Sequence, residues 1–291
     1  MSTTSTLSEK MAETDSEQSS SAIVTRKKMT VPNFRARKGG EPLVCLTAYT
    51  AHVARLIDAE ADMILVGDSL GMVIHGMPNT LGVTIEHMIM HGQAVMRGSE
   101  KSLVVVDMPF GSYEESPEVA FRNASRIIKE TGCTAIKLEG GSEMAKTIHH
   151  LSARGIPVMA HVGLMPQQMN TAGGFKAIRD EGVWEDVISD SKAVEAAGAF
   201  SIVVEGVAEK LAQKITESVD IPTIGIGASV HCDGQILVFE DMIGLFPSVP
   251  TFVKRYGNMQ EMMIDAITRY SSEVRDRSFP AEQHTYKVKK D

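Results

Sequence analysis

Between residues 43 and 245, short apolar runs rich in β-branched residues alternate with longer amphipathic stretches. Parallel strands that are covered by helices read as nearly continuous apolar runs of this kind, because both of their faces are buried. We therefore interpret eight runs as parallel strands: VCLTAY (44–49), MILVGD (63–68), LVVVDMP (103–109), AIKLEG (135–140), PVMAHVG (157–163), SIVVEG (201–206), PTIGIGAS (222–229) and ILVFED (236–241).

The stretches between these runs have the spacing of amphipathic helices. Ser116, Pro117 and Glu118 combine a helix N-cap, a proline at the first helical position and an acidic residue in the first turn. The same spacing predicts three further helices, over 85–96, over 183–197 and, outside the repeat, over 259–270.

Eight alternations of strand and helix within about 200 residues favour a closed barrel over an open sheet. The expected fold is a single α/β domain, a (β/α)8 TIM barrel, and the length of 291 residues fits one such barrel. We expect the catalytic barrel to cover residues 26–275. A disordered, Ser/Thr-rich tail is predicted over 1–25 and a C-terminal tail over 276–291.

Composition excludes several classes of partner. The formal net charge is −8 and no long basic run occurs, which argues against nucleic acid. No stretch of about 18 apolar residues is present, so no membrane span is predicted. The three cysteines form no CxxC pair, which argues against a thiolate zinc site and suits a reducing compartment. The N-terminal segment lacks secretory and mitochondrial features, so we expect a cytoplasmic protein.

Six ionisable residues lie late in the apolar runs, where a barrel places its active site: Asp68, Asp107, Lys137, Glu139, His161 and Glu205. Lys137 and Glu139 are two residues apart, so both should point into the barrel while Ile136 and Leu138 face the helices. Buried charges need a partner or a metal ion. Several carboxylates together suit Mg²⁺, which takes oxygen ligands.

A structural interpretation stands beside this one. A strand-end aspartate can cap the next helix, and Lys137 with Glu139 can form a plain ion pair. The convergence of five strand ends nevertheless favours a site. His161 can contact a ligand or be a hydrogen-bonded core residue. For Gly225, Gly227 and Ser229, close packing of a turn is favoured over a phosphate cradle. The remaining histidines considered are expected at the surface: His75, His87, His91, His149 and His150.

Seven segments, taken together, resemble the ketopantoate hydroxymethyltransferase family. They follow one another from Val66 to Val238: VGDSLGMV (66–73), VVDMPFGSY (105–113), IKLEGG (136–141), AHVGLMPQ (160–167), GGFK (173–176), EAAGA (195–199) and IPTIGIGAS…DGQILV (221–238). The resemblance implies a barrel of the phosphoenolpyruvate/pyruvate-binding type and a homodecamer.

The resemblance also implies an activity and its residues. A hydroxymethyl group passes from 5,10-methylenetetrahydrofolate to 3-methyl-2-oxobutanoate, giving 2-dehydropantoate through a Mg-stabilised enolate, in pantothenate biosynthesis. In family terms, magnesium lies on Asp68, Asp107 and, through water, Glu139. The keto acid contacts Asp68, Ser69, Asp107 and Lys137, and Glu205 is the general base. A partly desolvated Glu205 would be a stronger base than a free carboxylate.

The chain departs from the family pattern at several loops. Thr50 stands where the family usually has Asp, Ser229 where it has Gly, and Gly206-Val207-Ala208 where it has Cys-Val-Pro. Ala177-Ile178-Arg179-Asp180 replaces the usual continuation after GGFK, in the loop where folate is expected to dock.

Three alternatives to this activity stay open. The chain could be a diverged paralogue that acts on another 2-keto acid. It could be a lyase or mutase of the same superfamily, although the Lys-Lys-Cys-Gly-type lid sequence of such enzymes is missing. It could also be a catalytically silent barrel, but such a protein should have lost some of the residues Asp68, Asp107, Lys137, Glu139 and Glu205, and all five are present.

Overall fold

The computed structural model describes residues 27–288. In this part of the chain eight parallel strands close into one barrel in chain order, which confirms the predicted fold. Cys45 of the first strand pairs with Met63 of the second and with Ile236 of the eighth. The strands are β1 (Leu43–Thr47), β2 (Met63–Val66), β3 (Leu103–Asp107), β4 (Ala135–Glu139), β5 (Val158–Gly163), β6 (Ser201–Glu205), β7 (Thr223–Ile226) and β8 (Gly234–Leu237).

Helices connect the strands from β1 to β7 and cover the outside of the barrel, whereas β7 and β8 are joined without a helix, unlike the predicted regular alternation. They are α1 (Val31–Arg35), α2 (Ala51–Ile57), α3 (Leu70–Val73), α4 (Ile85–Met96), α5 (Pro117–Thr131), α6 (Ala145–Ser152), α7 (Met169–Ala172), α8 (Trp184–Ala196), α9 (Glu209–Ser218), α10 (Phe239–Met242) and α11 (Met259–Asp276). The helices predicted over 85–96, over 183–197 and after Ser116 are thus confirmed.

Local sequence sets the ends of these helices. The Ser116 side chain accepts a hydrogen bond from the Val119 N–H (3.2 Å) at the start of α5, and Pro117 occupies the first turn. Gly132 ends α5 with a φ of 77°, a conformation that residues with a Cβ rarely adopt.

Two apolar cores hold the barrel together. One lies between the strands and the helices, and includes Ile136 and Leu138. The other fills the barrel interior, with Met63, Val105 and Met159 among its members. Phe34 of α1 belongs to the interior core and packs edge-on against Phe200 (5.8 Å between ring centroids), so α1 covers the N-terminal end of the barrel. The C-terminal end of the barrel, which α1 does not cover, is therefore the end at which a functional site can lie.

The eighth strand lies earlier than predicted. The run at 236–241 suggested a strand, whereas the second half of this run forms α10. Gly234 begins β8, where an added Cβ would lie 2.6 Å from the Leu43 carbonyl oxygen. The Phe239 N–H donates to Thr47 Oγ1 (3.0 Å), so the first strand caps the turn into α10. Apolarity alone did not separate a strand from a short buried helix.

The surface position expected for His91 is also wrong. His91 is buried on α4, and its Nδ1 atom lies 2.7 Å from the carbonyl oxygen of Tyr49. A histidine at a helix position that faces the barrel is buried when a backbone carbonyl supplies its hydrogen-bond partner.

The C-terminal helix α11 lies outside the repeat, as predicted, and none of its residues is buried. The tail predicted over 1–25 lies outside the described residues. Of the tail predicted over 276–291, the residues up to 288 are described and include a short 3₁₀ turn, Glu282–His284. The domain boundaries stay predictions. No helix within residues 27–288 is long and apolar enough to cross a membrane.

Candidate active site

Polar side chains fill the C-terminal end of the barrel. The pleat of β4 directs Ile136 and Leu138 to the helices and Lys137 and Glu139 to the interior, as predicted. Five of the predicted residues are at most 4% exposed: Asp68, Asp107, Lys137, Glu139 and His161. The side chain of Glu205, at the end of β6, is 19% exposed. The sequence placed Asp68 within the second strand, but it lies in the turn after β2.

Asp107 contacts both Lys137 and the turn that carries Asp68. Its Oδ1 atom lies 3.0 Å from Nζ of Lys137, and its Oδ2 atom accepts a hydrogen bond from the Asp68 N–H (3.0 Å). The turn that carries Asp68 is tight: a Cβ at Gly67 would lie 2.8 Å from Ser69 Oγ. The three strand ends therefore hold Asp68, Asp107 and Lys137 together.

Burial opposes the charged forms of these carboxylates. Desolvation, followed by the charges of Asp107 and Glu139, raises the pKa of Asp68 to about 8. Desolvation also raises the pKa of Asp107, although Lys137 works in the other direction. Burial disfavours the ammonium of Lys137, but the three carboxylates outweigh it and its pKa is raised. The site thus places three carboxyl groups around one lysine, and burial disfavours full ionisation of the aspartates.

His161 lies between two carboxylates. Its Nδ1 atom is 3.5 Å from Glu139 Oε1, and its Nε2 atom is 3.4 Å from Glu205 Oε2. Burial and Lys137 disfavour the imidazolium, but the two carboxylates raise the pKa of His161 to about 9. Burial alone would raise the pKa of Glu139; the hydrogen bond and the charge of His161 lower it. His161 therefore connects the Asp107 group to Glu205.

Gln167 and Tyr113 were given no role by the sequence analysis. The Gln167 side chain donates to Asp68 Oδ2 (2.9 Å) and its backbone N–H donates to Glu139 Oε2 (3.0 Å). Tyr113 donates its hydroxyl to Gln167 Oε1 (2.6 Å). Tyr113 lies in the loop after β3 and Gln167 in the 3₁₀ turn after β5. Both belong to segments that resemble the family, so these strand-to-helix connections are the signal that points to them.

Ser69 is fixed from the first strand. Its hydroxyl lies 2.8 Å from that of Tyr49, a buried residue that directly follows β1. Ser69 itself is partly exposed, beside Asp68. The structure therefore brings every predicted site residue to one end of the barrel.

The departures from the family pattern have structural roles. Thr50 is the N-cap of α2 and accepts from the Val53 N–H (3.3 Å). The buried Ser229 accepts from the His231 N–H (3.1 Å). Ile178 forms a parallel bridge with Val207, so the altered loop is attached directly after β6 and Glu205.

Within the described residues, no group of three or more His, Cys, Asp or Glu side chains is arranged so that it could hold a metal ion. Mg²⁺ does not require such a cage, because it keeps several waters and takes few protein carboxylates. Asp68 and Asp107 are the pair available for direct contact, and Glu139 is a further oxygen donor.

Similar barrels are found among solved structures. A phosphoenolpyruvate phosphomutase from Streptomyces platensis subsp. rosaceus matches with a TM-score of 0.56 and 13% identity, over 89% of this chain and 92% of that chain. A 2,3-dimethylmalate lyase, described as a PEP mutase/isocitrate lyase superfamily member, matches with a TM-score of 0.52 and 15% identity, over 82% and 98%. At these identities the likeness concerns the fold alone, and it agrees with the closed eight-stranded barrel.

Sequence relatives are much closer. A 3-methyl-2-oxobutanoate hydroxymethyltransferase from Parvibaculum lavamentivorans is 62% identical over 91% of this chain and 97% of the relative. The enzyme of that name from Maricaulis maris is 57% identical over 91% and 95%. The family model for ketopantoate hydroxymethyltransferase matches residues 28–282. The chain therefore belongs to the ketopantoate hydroxymethyltransferase family.

Proposed function

We propose that this enzyme transfers a hydroxymethyl group from 5,10-methylenetetrahydrofolate to 3-methyl-2-oxobutanoate, giving 2-dehydropantoate and tetrahydrofolate for pantothenate and coenzyme A biosynthesis. The names of the relatives support the keto acid and the group transferred. The observation that carries the proposal is the chain of contacts from Asp68 through Asp107, Lys137 and His161 to Glu205.

The donor set fits a magnesium ion. Asp68 and Asp107 would bind it directly and Glu139 through water. Lys137 faces three carboxylates. Burial, followed by the charges of Asp107 and Glu139, raises the pKa of Asp68, and a bound cation would favour its charged form. Asp107 Oδ1, although near Lys137, has no hydrogen bond of good geometry among the described residues. When bound, the ion would supply Lewis-acid stabilisation of negative charge on the keto oxygen.

Lys137 and Ser69 would hold the keto acid. The Lys137 ammonium is buried at the barrel end and is fixed by Asp107, so it presents positive charge to substrate oxygens in a water-poor site. The Ser69 hydroxyl, held by Tyr49, offers a hydrogen bond beside Asp68. These contacts would orient the C3–H bond of the substrate toward Glu205.

Glu205 would accept the proton from C3 of the keto acid. Among the carboxylates of this site, Glu205 has the side chain that is partly exposed (19%), so a substrate could reach it. The electron pair of the broken C3–H bond forms the new bond from C3 to the one-carbon unit. Both bonds from that carbon to folate nitrogens break, water supplies the hydroxyl, and the protons released from C3 and from water end on the two nitrogens. His161, 3.4 Å away, would hold Glu205 in place.

The folate would approach beside the loop after β5. The Ile178 N–H donates to the Gly206 carbonyl (2.8 Å), and the Ala208 N–H donates to the Ile178 carbonyl (2.9 Å). The altered loop 177–180 thus borders the residue that follows Glu205, and its side chains would face a bulky second substrate.

The chain would act as a homodecamer in the cytoplasm. Exposed apolar residues on α11 support assembly: Met262, Met263, Ile264, Ile267, Tyr270 and Val274. Val44, on the outer face of β1, is 48% exposed, so that part of the barrel wall also lacks an apolar cover in the single chain. All three cysteines are free and buried, which supports a reducing compartment. Light scattering of the purified protein would measure the assembly.

Proton NMR of 3-methyl-2-oxobutanoate in D₂O tests the chemistry. With protein and Mg²⁺ the C3–H signal should disappear, and with a chelator in place of Mg²⁺ it should persist. Addition of tetrahydrofolate and formaldehyde should then give 2-dehydropantoate. No exchange and no product under any of these conditions, with folded protein, would reject the proposal.

A further inference from the structure

Ile226 brings an apolar side chain to the polar end of the barrel. In the described part of the chain, three partly buried residues pack against the interior core: Met29, Val31 and Ile226. Val31 begins α1, and the Met29 N–H donates to the Lys101 carbonyl (2.7 Å), just before β3, so both lie at the N-terminal end. Ile226 ends β7 and therefore lies at the opposite end, where the carboxylates are.

Ile226 is also the neighbour of the proposed base. In the parallel pairing of β6 with β7, Ile226 is the register partner of Glu205, and the Gly206 N–H donates to the Ile226 carbonyl (2.9 Å). Side chains in register on adjacent parallel strands share one face of the sheet, so both point into the barrel. On the other side of Glu205, its partner on β5 is Gly163, which has no side chain. Along the sheet, the side chain that borders Glu205 is therefore that of Ile226.

The polar and apolar groups occupy opposite sides of the barrel end. Asp68, Asp107 and Lys137, which would hold the oxygens of the keto acid, belong to the ends of β2, β3 and β4. Glu205 and Ile226 end β6 and β7, across the closed barrel. A keto acid with its oxygens on the first side and its C3–H bond at Glu205 has the two methyl groups of C3 on the second side. An apolar wall there removes these methyl groups from water.

The backbone around Ile226 is held in place. Gly227 follows it with a φ of 57°, and an added Cβ would lie 2.8 Å from the ring of Phe252. Phe252 belongs to the segment between α10 and α11, so this segment packs on the end of β7. Together with the hydrogen bond from Gly206, this contact gives Ile226 a defined position. A wall of defined position can select substrates by size.

We propose that Ile226 contacts the alkyl group on C3 of the 2-keto acid and limits its size. The inference rests on the proposed function and extends it to the property of the substrate that the site selects. A shorter side chain at position 226 would leave room for a further methylene on the substrate. The oxygens of the substrate would still be bound on the other side of the barrel end.

Competition between two keto acids tests the proposal. 3-Methyl-2-oxobutanoate would be mixed in D₂O, with Mg²⁺, with racemic 3-methyl-2-oxopentanoate, which carries one methylene more on C3. Proton NMR gives both C3–H exchange rates, and wild type should prefer the shorter compound. Ile226→Ala should shift the ratio of the rates toward the longer compound at least about tenfold, and Ile226→Val in the same direction by less. Val230→Ala, a control after β7 whose side chain is 80% exposed, should keep the wild-type ratio.

The ratio separates size selection from general damage, because a disturbed fold would slow the exchange of both compounds alike. Circular dichroism would check that the variants fold. An unchanged ratio in both Ile226 variants, with active wild type, would overturn the role of Ile226 and leave the proposed function standing. No reaction of either keto acid with folded wild type, with or without tetrahydrofolate and formaldehyde, would overturn both.

Discussion

The Nε2 atom of His161 lies 3.4 Å from Oε2 of Glu205, and the two residues occupy the neighbouring strands β5 and β6. Through its other nitrogen the same ring reaches Glu139 of β4. One imidazole therefore joins the proposed base to the proposed cation-binding carboxylates. This arrangement would hold Glu205 in position for the proposed removal of a proton from C3 of the keto acid.

Replacement of the base should separate binding from chemistry. Glu205→Gln keeps the shape of the side chain but not its basicity, so the keto acid should still bind while C3–H exchange slows about 10²–10⁴-fold. Exchange is measured by NMR in D₂O and binding by calorimetry. Glu209→Gln, four residues on and exposed, is the matched control and should exchange normally. Full exchange in Glu205→Gln would exclude Glu205 as the base.

Loss of the Gln167 side chain should weaken magnesium binding. Its amide holds Asp68 and accepts from Tyr113, and neighbouring groups that orient ligands typically contribute about 10–100-fold in metal affinity. Gln167→Ala should therefore raise the Mg²⁺ concentration needed for exchange. The adjacent Gln168 is exposed, and Gln168→Ala should leave that concentration unchanged. If both variants needed the same Mg²⁺ concentration for exchange, Gln167 would not contribute to magnesium binding.

Glu240 should make stability depend on pH. Burial, with a smaller contribution from Asp241, raises the pKa of Glu240 from 4.5 to about 7, and its Oε2 atom has no hydrogen-bond partner among the described residues. The carboxyl then stabilises the fold only when protonated. Its contribution is complete below pH 4.5 and is lost as the pH rises through about 7.

Thermal unfolding of Glu240→Gln across this range checks the effect. The variant should gain stability relative to wild type between pH 4.5 and 7, and the difference in Tm should level off above about pH 7. Glu209→Gln serves again as the exposed control and should follow wild type. A Tm difference that does not vary with pH would contradict the assigned direction.

Gly163 should be intolerant of a side chain. It ends β5 with a φ of 99°, and an added Cβ would lie 2.3 Å from the Glu205 carbonyl oxygen. Gly163→Ala should lower the free energy of unfolding by more than the ~1–3 kcal/mol of backbone strain alone, and should displace Glu205. Denaturant unfolding and C3–H exchange are the measurements.

Gly174 provides the comparison. Its φ is 109°, but an added Cβ would meet nothing within 4 Å. Gly174→Ala should therefore lower the free energy of unfolding through backbone strain alone, without a steric clash. If both alanine variants lost the same stability, the close approach at Gly163 would have no energetic effect.

Most of the fold could be predicted from the sequence, because strands that are buried on both faces appear as nearly continuous apolar runs. The apolar runs located eight strands, and the Ser116-Pro117 cap located a helix start. The prediction of a strand over 236–241 was wrong, because this apolar run contains the end of β8 and then the start of the short helix α10. The prediction for His91 was also wrong, since a helical histidine that is bonded to a carbonyl elsewhere in the chain leaves no local signal.

Within the proposed site, the sequence by itself determined which strand ends carry charge and which way Lys137 and Glu139 point, because strand alternation is a local property. Only the tertiary structure decided that His161 lies between Glu139 and Glu205 and that Gln167 holds Asp68. These contacts join residues that are distant in the chain. Closure of the barrel, which no local pattern records, sets their distances.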